Sequence, residues 1–525
     1  MTPIVQRIRV LSVVVALSAA TLTACGGGGD DTTGDAQAGG PESYYDNYDQ
    51  RESGQCCQPP DPGDPGLLED DTFVDAGMSG YVDAAQDPES TFALDVDNGS
   101  FRIAQTLVAQ GMRPPPASVR SEEWVNALPY DDPAPTESDL ALRTETAMAP
   151  SLRDGTQEVR VAVTARQLPA ESRPSVNLTL VIDRSGSMDI GSRLGLVKSS
   201  IAMLAGSLRP DDTVSVVAFD QNVDLVLPPT RVAEHEAILA SIDRLYPGGS
   251  TNLADGLRLG YQQARSAYRP GGINVVILCS DGVANVGMTG PEGITAQIAE
   301  EGRNGIHLVT VGYGMGNYND HLMEQLADQG DGFYRYVDTY EEAQHLYVDE
   351  LTSLLTPIAD DARSQVTFDP EKVESYRLVG YDNRAMDDQS FDDLGADAGE
   401  LGAGHRATAL YEVRLAPGVE SGEQIGTARV KWVSAITGAP GHAEAAVRAA
   451  VPGLPPSASF QLATAAADLA ELVKLGGYGS AYEQLRSTSY GELRQRVIVL
   501  ARRGVPGADQ LAALIDGCER GTPGY

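Results

Sequence analysis

Residues 177–190, "NLTLVIDRSGSMDI", place an aspartate at the end of an apolar run and follow it at once with a turn that carries two hydroxyls. A nearly continuous apolar run of this length is typical of a strand that is buried on both faces of a sheet. Asp183 ends the run, and Ser185 and Ser187 follow it on either side of a glycine. The stretch therefore predicts a buried strand that delivers one carboxylate and two hydroxyls to the edge of a sheet.

The residues around this stretch, 173–358, alternate apolar runs with amphipathic segments. Further runs that read as strands are "TVSVVAF", "INVVILCSD", "IHLVTVGYG" and "FYRYV". The clearest helical pattern has apolar residues at steps of three and four, at Leu194, Val197, Ile201, Leu204 and Leu208. Buried strands separated by amphipathic helices predict a doubly wound α/β domain with a mostly parallel sheet.

The segments on both sides of this domain alternate apolar with polar residues and have no helices between them. They include "GTQEVRVAVTARQL" before the domain and "RATALYEVRLAPG" and "TARVKWVSA" after it. This alternation predicts antiparallel, sandwich-like sheet. Because such strands occur before and after the α/β segment, we expect the α/β domain to be inserted into a β-rich domain; two unrelated β pieces are the alternative.

The first residues resemble an export signal of a bacterial lipoprotein. Arg7 and Arg9 precede an apolar run that is too short to span a bilayer, and "LTAC" follows it. The pattern predicts cleavage before Cys25 and acylation of its thiol, which would anchor the chain through lipid on the extracytoplasmic side of a membrane. The residues after Cys25, up to about residue 87, are rich in Gly, Pro and Asp and predict a disordered tether.

These patterns divide the chain into seven parts. The predicted parts are a signal peptide (1–24), the acylated cysteine with its tether (25–87), an N-terminal region (88–150), first strands of the β-rich domain (151–172), the α/β domain (173–358), the rest of the β-rich domain (359–453) and a helical C-terminal region (454–525).

The composition is strongly acidic. The chain has 74 acidic and 38 basic side chains and a formal charge of −36. Such a charge repels phosphate backbones, so nucleic acid is not an expected partner. Five cysteines in 525 residues do not form a disulfide framework. Cys56 and Cys57 are adjacent; they could pair with each other, with Cys518 or with another chain, or have no structural role.

Oxygen ligands converge at one edge of the predicted sheet. Asp183 and Asp281 each end an apolar strand, and ligands of open parallel sheets bind beyond the carboxyl ends of the strands. The loop "YPGGSTNLADGL" opens a helix there and adds Thr251 or, one position earlier, Ser250. Carboxylates and hydroxyls without His or Cys suit a hard divalent cation such as Mg²⁺, with Mn²⁺ or Ca²⁺ as alternatives. Two carboxylates at most balance the ion, which leaves it attractive to a further acidic ligand.

"DRSGS", the "GGST" loop and "LCSDGVANVG" together resemble the metal-ion-dependent adhesion site of von Willebrand factor type A domains. Carried over by position, the resemblance implies that Asp183, Ser185, Ser187, Thr251 and Asp281 are metal ligands. Nearly all of residues 88–505 resemble a family of bacterial type A lipoproteins, in segments such as "STFALDVDNGSFRIAQTLVAQGM" and "DAGELGAGHRATALYEV". The doubled Ser250-Thr251 departs from the family pattern and leaves the hydroxyl ligand open between the two.

Enzymatic chemistry fits these residues poorly. Neither Ser185 nor Ser187 has the Gly-x-Ser-x-Gly surroundings of a hydrolase nucleophile, and Ser185 stands where an aspartyl phosphotransferase would need a second acid. None of the six histidines lies in these motifs, so no general base is evident. We therefore expect no enzymatic activity. The sequence favours a protein that binds an Asp or Glu side chain of a protein partner through its metal; the alternative is a structural envelope scaffold with a vestigial metal site.

Overall fold

The computed structural model describes residues 77–94, 96–152, 154–169, 172–282, 291–314, 320–381, 384–393, 396, 398–475 and 488–523, all of which belong to one compact unit. The strands are β1 Val82–Asp83, β2 Glu89–Ala93, β3 Met112–Arg113, β4 Leu140–Met148, β5 Gln157–Ala165, β6 Val176–Asp183, β7 Thr213–Phe219, β8 Val223–Arg231, β9 Ile273–Ser280, β10 His307–Tyr313, β11 Tyr334–Val337, β12 Pro357–Phe368, β13 Val373–Val379, β14 Ala385–Met386, β15 Gly399–Gly402, β16 Arg406–Leu415, β17 Gln424–Ser434, β18 Pro440–Arg448 and β19 Thr522–Pro523. The helices are α1 Gly99–Ala109, α2 Ser121–Asn126, α3 Arg193–Ser207, α4 His235–Asp243, α5 Leu253–Ser266, α6 Pro291–Arg303, α7 Asp320–Gln329, α8 Tyr340–Gln344, α9 Leu351–Leu355, α10 Ala458–Lys474, α11 Tyr490–Arg502 and α12 Ala508–Arg520. The predicted signal peptide, Cys25 and most of the predicted tether lie outside the described residues.

A six-stranded sheet with the order β11-β10-β9-β6-β7-β8 forms the centre of the α/β domain. Its strands run parallel, except that β8 pairs antiparallel with β7. Strands β6 and β9 are neighbours, and Ile182 pairs with Cys279 at their carboxyl ends. The loops that carry the two predicted aspartates therefore leave the sheet side by side, and the predicted fold class is confirmed.

Every residue of β6 is buried, because helices cover both faces of the sheet. Leu180 and Ile182 lie in the same apolar cluster as Val197 of α3. Val181, which points to the opposite face, lies in a second cluster with Leu257 of α5. The two-residue period of the strand thus distributes its side chains between two helix layers.

Helix α5 approaches the sheet closely because glycines face it. A Cβ on Gly260 would lie 2.4 Å from Cγ2 of Val181, and one on Gly256 would lie 2.7 Å from Cδ1 of Phe219. Because these glycines have no side chain, the first turns of α5 pack directly against the ends of β6 and β7. The loop that precedes this helix is thereby held at the predicted metal site.

Two antiparallel sheets make up the β-rich domain. One has the order β1-β13-β16-β5-β4, and the other has the order β14-β2-β12-β17-β18, with β15 also paired to β12. Val161 and Tyr411 of the first sheet share an apolar cluster with Val366 and Val430 of the second. The α/β domain enters after β5 of one sheet and leaves into β12 of the other, so the expected insertion is confirmed. Strands β1, β2 and β4 show that this domain also draws on residues before position 151. The prediction of a disordered tether up to about residue 87 is wrong at its end, because Val82–Asp83 form β1 and pair with β13.

Helices α10, α11 and α12 pack together with α1 and α2 around an apolar cluster that includes Trp124, Leu469 and Leu514. A buried ion network ties this helical region to the β-rich domain. Arg377 of β13 contacts Glu412 of β16 at 2.7 Å and Glu471 of α10 at 3.1 Å. Among the described residues, none of the helices has the length and apolar character that a membrane crossing requires.

Candidate metal centre

The turn after β6 folds around the carboxylate of Asp183, which is completely buried. The backbone N–H of Ser185 donates to its Oδ1 at 2.8 Å, and the hydroxyl of Ser280 donates to its Oδ2 at 2.6 Å. The hydroxyl oxygens of Ser185 and Ser187 lie 3.0 Å apart. One carboxylate and two hydroxyls therefore share a small space at the carboxyl end of the sheet.

The loop before α5 is hydrogen-bonded to this turn. The N–H of Gly248 donates to the carbonyl of Arg184 at 2.8 Å, and the N–H of Gly186 donates to the carbonyl of Gly249 at 3.0 Å. These bonds bring Thr251, which is 2% exposed, to the same edge of the sheet, whereas Ser250 is half-buried. Thr251 is positioned through backbone contacts of its loop.

The third loop begins with Asp281, whose carboxylate is completely buried beside a buried arginine. Nη1 of Arg193 donates to Oδ2 of Asp281 at 2.8 Å and to the carbonyl of Ser187 at 3.2 Å. Arg193 is the first residue of α3. A single guanidinium thus connects the Asp183–Ser187 turn to the strand end that carries Asp281.

The charge in this space is incompletely balanced. Burial, and then the neighbouring charge of Asp281, raise the pKa of Asp183 to about 7. The shift means that the protein alone stabilises the ionised form of this carboxyl poorly. A divalent cation would favour that form, and the available oxygens are the hard ligands that Mg²⁺, Mn²⁺ or Ca²⁺ take. The residues therefore fit such an ion.

The described residues contain no group of three or more His, Cys, Asp or Glu side chains that could hold a metal. A site with two carboxylates and several hydroxyls is not a group of that kind. The structure brings Asp183, Ser185, Ser187 and Asp281 together through side-chain contacts and charge, and places Thr251 in the loop that is hydrogen-bonded to their turn. Their assignment as metal ligands stays a prediction.

Sequence reasoning missed two residues of this site, Ser280 and Arg193. Ser280 directly precedes Asp281, and its hydroxyl also accepts from the N–H of Gly282 at 3.1 Å. Arg193 could have been noticed, because a cation in the first turn of a helix opposes the helix dipole. Its position there indicates a partner elsewhere in the structure.

The cysteines contribute no bridge in the described part of the chain. Cys279 and Cys518 are buried free thiols, and burial raises the pKa of each to about 12. Cys56 and Cys57, as well as the predicted lipidation site Cys25, lie outside the described residues.

Comparisons with known proteins agree with this architecture. Residues 177–349 match the von Willebrand factor type A domain, residues 353–439 match the C-terminal part of protein YfbK, and residues 68–158 match a model described as von Willebrand factor. The uncharacterized protein YfbK of Escherichia coli (strain K12) is 38% identical over 339 residues, which cover 63% of this chain and 59% of YfbK. The uncharacterized protein sll0103 of Synechocystis is 32% identical over 191 residues, which cover 36% of this chain and 44% of that protein.

Among solved structures, a von Willebrand factor type A protein from Catenulispora acidiphila aligns with a TM-score of 0.43 and 17% identity, over 71% of this chain and 89% of that one. The chain spans less than two thirds of the length of YfbK and of sll0103. The chain contains a von Willebrand factor type A domain followed by a C-terminal domain like that of YfbK, and it is homologous to that bacterial protein.

Proposed function

We propose that this protein is a lipid-anchored, extracytoplasmic binding protein of a bacterial cell envelope, whose divalent metal site captures an acidic side chain of a protein partner. A type A domain indicates a role in protein–protein interaction. The finer proposal rests on one observation: two completely buried carboxylates, Asp183 and Asp281, lie at the carboxyl edge of the sheet, near enough to each other that the charge of Asp281 raises the pKa of Asp183. Buried charges need partners, and one guanidinium beside two carboxylates leaves a negative charge that a further cation would offset.

Asp183, Ser185, Ser187, Thr251 and Asp281 are the residues that would hold the ion. The burial of Thr251 supports it over Ser250 as the hydroxyl ligand. When bound, the ion would supply a Lewis-acid position for a carboxylate oxygen of the partner. The chain itself contributes orientation, because Ser280 and the N–H of Ser185 hold the Asp183 carboxylate in one rotamer.

The anchor at Cys25 and the envelope location are supported by the sequence "LTAC" after a short apolar run. The role proposed for the site is binding and not catalysis, because none of the six histidines lies in its motifs and neither serine has the surroundings of a hydrolase nucleophile.

The decisive experiment compares the wild-type chain with Asp183→Ala in crosslinking pull-downs from native envelopes, with and without chelator. We expect a partner that is captured by the wild type only in the presence of divalent cation and that is lost in the variant. Asp211→Ala removes a carboxylate that is 63% exposed and serves as the matched control. Equal capture by wild type and Asp183→Ala would contradict the proposal.

The ion pair of Arg193 with Asp281 also favours a second candidate, an envelope scaffold whose loops are braced without metal. For this candidate, titration with Mg²⁺ or Mn²⁺ shows no binding in the range of about millimolar affinities typical of weak extracellular cation sites. A saturable binding isotherm would rule it out.

A further inference from the structure

Arg193 is built into the candidate metal centre. The residue is 2% exposed, and its Nη1 contacts both Asp281 and the carbonyl of Ser187. Its side-chain stem occupies the space beside Gly314, where a Cβ would lie 2.6 Å from Nε and 2.7 Å from Cγ of the arginine. Gly314 follows β10 at a φ of +76°. The absence of a side chain at this position makes room for the guanidinium, so the charge is fixed in place.

The fixed charge changes the electrostatic balance of the site. Two ionised carboxylates and one guanidinium sum to −1, and a divalent cation would bring the same set to +1. Without the arginine, the ion and the two carboxylates would sum to zero. Charges in a buried site interact more strongly than charges in water, so this difference is large enough to affect ligand choice.

We propose that Arg193 is a specificity-determining residue of the site, which weakens binding of the cation alone and makes the loaded site require an anionic ligand. The inference rests on the proposed metal site and adds a reason for its ligand preference. Repulsion between the guanidinium and the ion lowers affinity for the bare metal. An anionic ligand relieves the excess positive charge, and because binding energies are linked, the same ligand tightens metal binding.

The test measures Mn²⁺ affinity by isothermal titration calorimetry at pH 8 on the full chain. Arg193→Met removes the charge and keeps most of the length of the side chain, whereas Arg193→Lys keeps the charge. Arg258→Met is the matched control, since Arg258 is 62% exposed and also pairs with an aspartate. Circular dichroism checks that each variant is folded.

We expect Arg193→Met to bind Mn²⁺ at least about tenfold more tightly than the wild type, because a like charge is removed from a buried site. Acetate, used as the carboxylate probe, should tighten Mn²⁺ binding to the wild type and to Arg193→Lys but not to Arg193→Met. Acetamide, a neutral molecule of the same shape, should have no effect on any of them.

Equal or weaker Mn²⁺ binding by Arg193→Met would overturn the inference, because the arginine would then only orient Asp281. If Arg193→Met does not fold, the test uses the wild type alone. Equal effects of acetate and acetamide on the Mn²⁺ affinity of the wild type would then overturn the inference. Two other results would show that the proposed metal site itself is wrong. The first is an Mn²⁺ affinity that is unchanged in Asp183→Ala. The second is the absence of Mn²⁺ binding to both the wild type and Arg193→Met, and this result overturns both proposals.

Discussion

Replacing Asp183 by asparagine should stabilise the metal-free α/β domain at alkaline pH. Burial and the charge of Asp281 raise the pKa of this carboxyl from 3.8 to about 7. Between these two values the folded state binds a proton that the unfolded state has released. Stability conferred by this group is therefore fully present below about pH 4 and declines as pH rises to about 7.

The magnitude follows from the size of the shift. About three pKa units correspond to about 4 kcal/mol of destabilisation at pH 8, at about 1.4 kcal/mol for each unit. Asparagine removes the charge but forms weaker hydrogen bonds with Ser280 and with the N–H of Ser185. We therefore expect Asp183→Asn to gain about 2 kcal/mol over the wild type at pH 8 and to gain nothing at pH 4.

Hydrogen exchange of the β6 amides in the presence of chelator measures the opening free energy of this domain. Wild type and variant are compared at the same pH, so that the contributions of other titrating groups cancel. Asp211→Asn, which changes an exposed carboxylate, should show no such pH-dependent difference. Added Mg²⁺ should stabilise only the wild type. A variant that is less stable than the wild type at pH 8 in chelator would refute the electrostatic reasoning.

Three other changes test the packing. Gly260→Ala places a methyl group against Val181 and should cost about 1–3 kcal/mol of stability by overpacking, measured by urea unfolding. Arg377→Met leaves two buried glutamates on neighbouring elements without their shared cation and should cost about 3–5 kcal/mol; a loss below about 1 kcal/mol would show that the network is dispensable. Ser489→Ala removes the hydroxyl that accepts from the N–H of Glu492 in the capping box of α11 and should cost about 1 kcal/mol, visible as faster exchange in the first turn of that helix.

Sequence patterning predicted five of the six strands of the α/β sheet, because burial on two faces requires almost uninterrupted apolar runs. It missed the antiparallel edge strand β8, most of whose residues are exposed or half-buried. The sequence also predicted that Asp183 and Asp281 lie at one edge of the sheet, because each ends an apolar strand and the carboxyl ends of parallel strands meet at the same edge. The insertion of the α/β domain was also predictable, because alternating strands flank it on both sides. Strands β1, β2 and β4 were not assigned to the β-rich domain, because short or half-buried strands in a region with helices carry a weaker pattern.

The position of Arg193 in the candidate metal centre could not be predicted from sequence patterns. Its ion pair spans 88 residues, from the first turn of α3 to the loop after β9, and depends on the space left by a glycine after β10. The local sequence determined which side chains stand at strand ends and helix starts, since hydrophobic periodicity is a property of neighbouring residues. Only the tertiary structure decided which charged side chains face one another at those ends, because such pairs form between segments that are distant in the sequence. In a buried site each added or removed charge changes which ligands can bind.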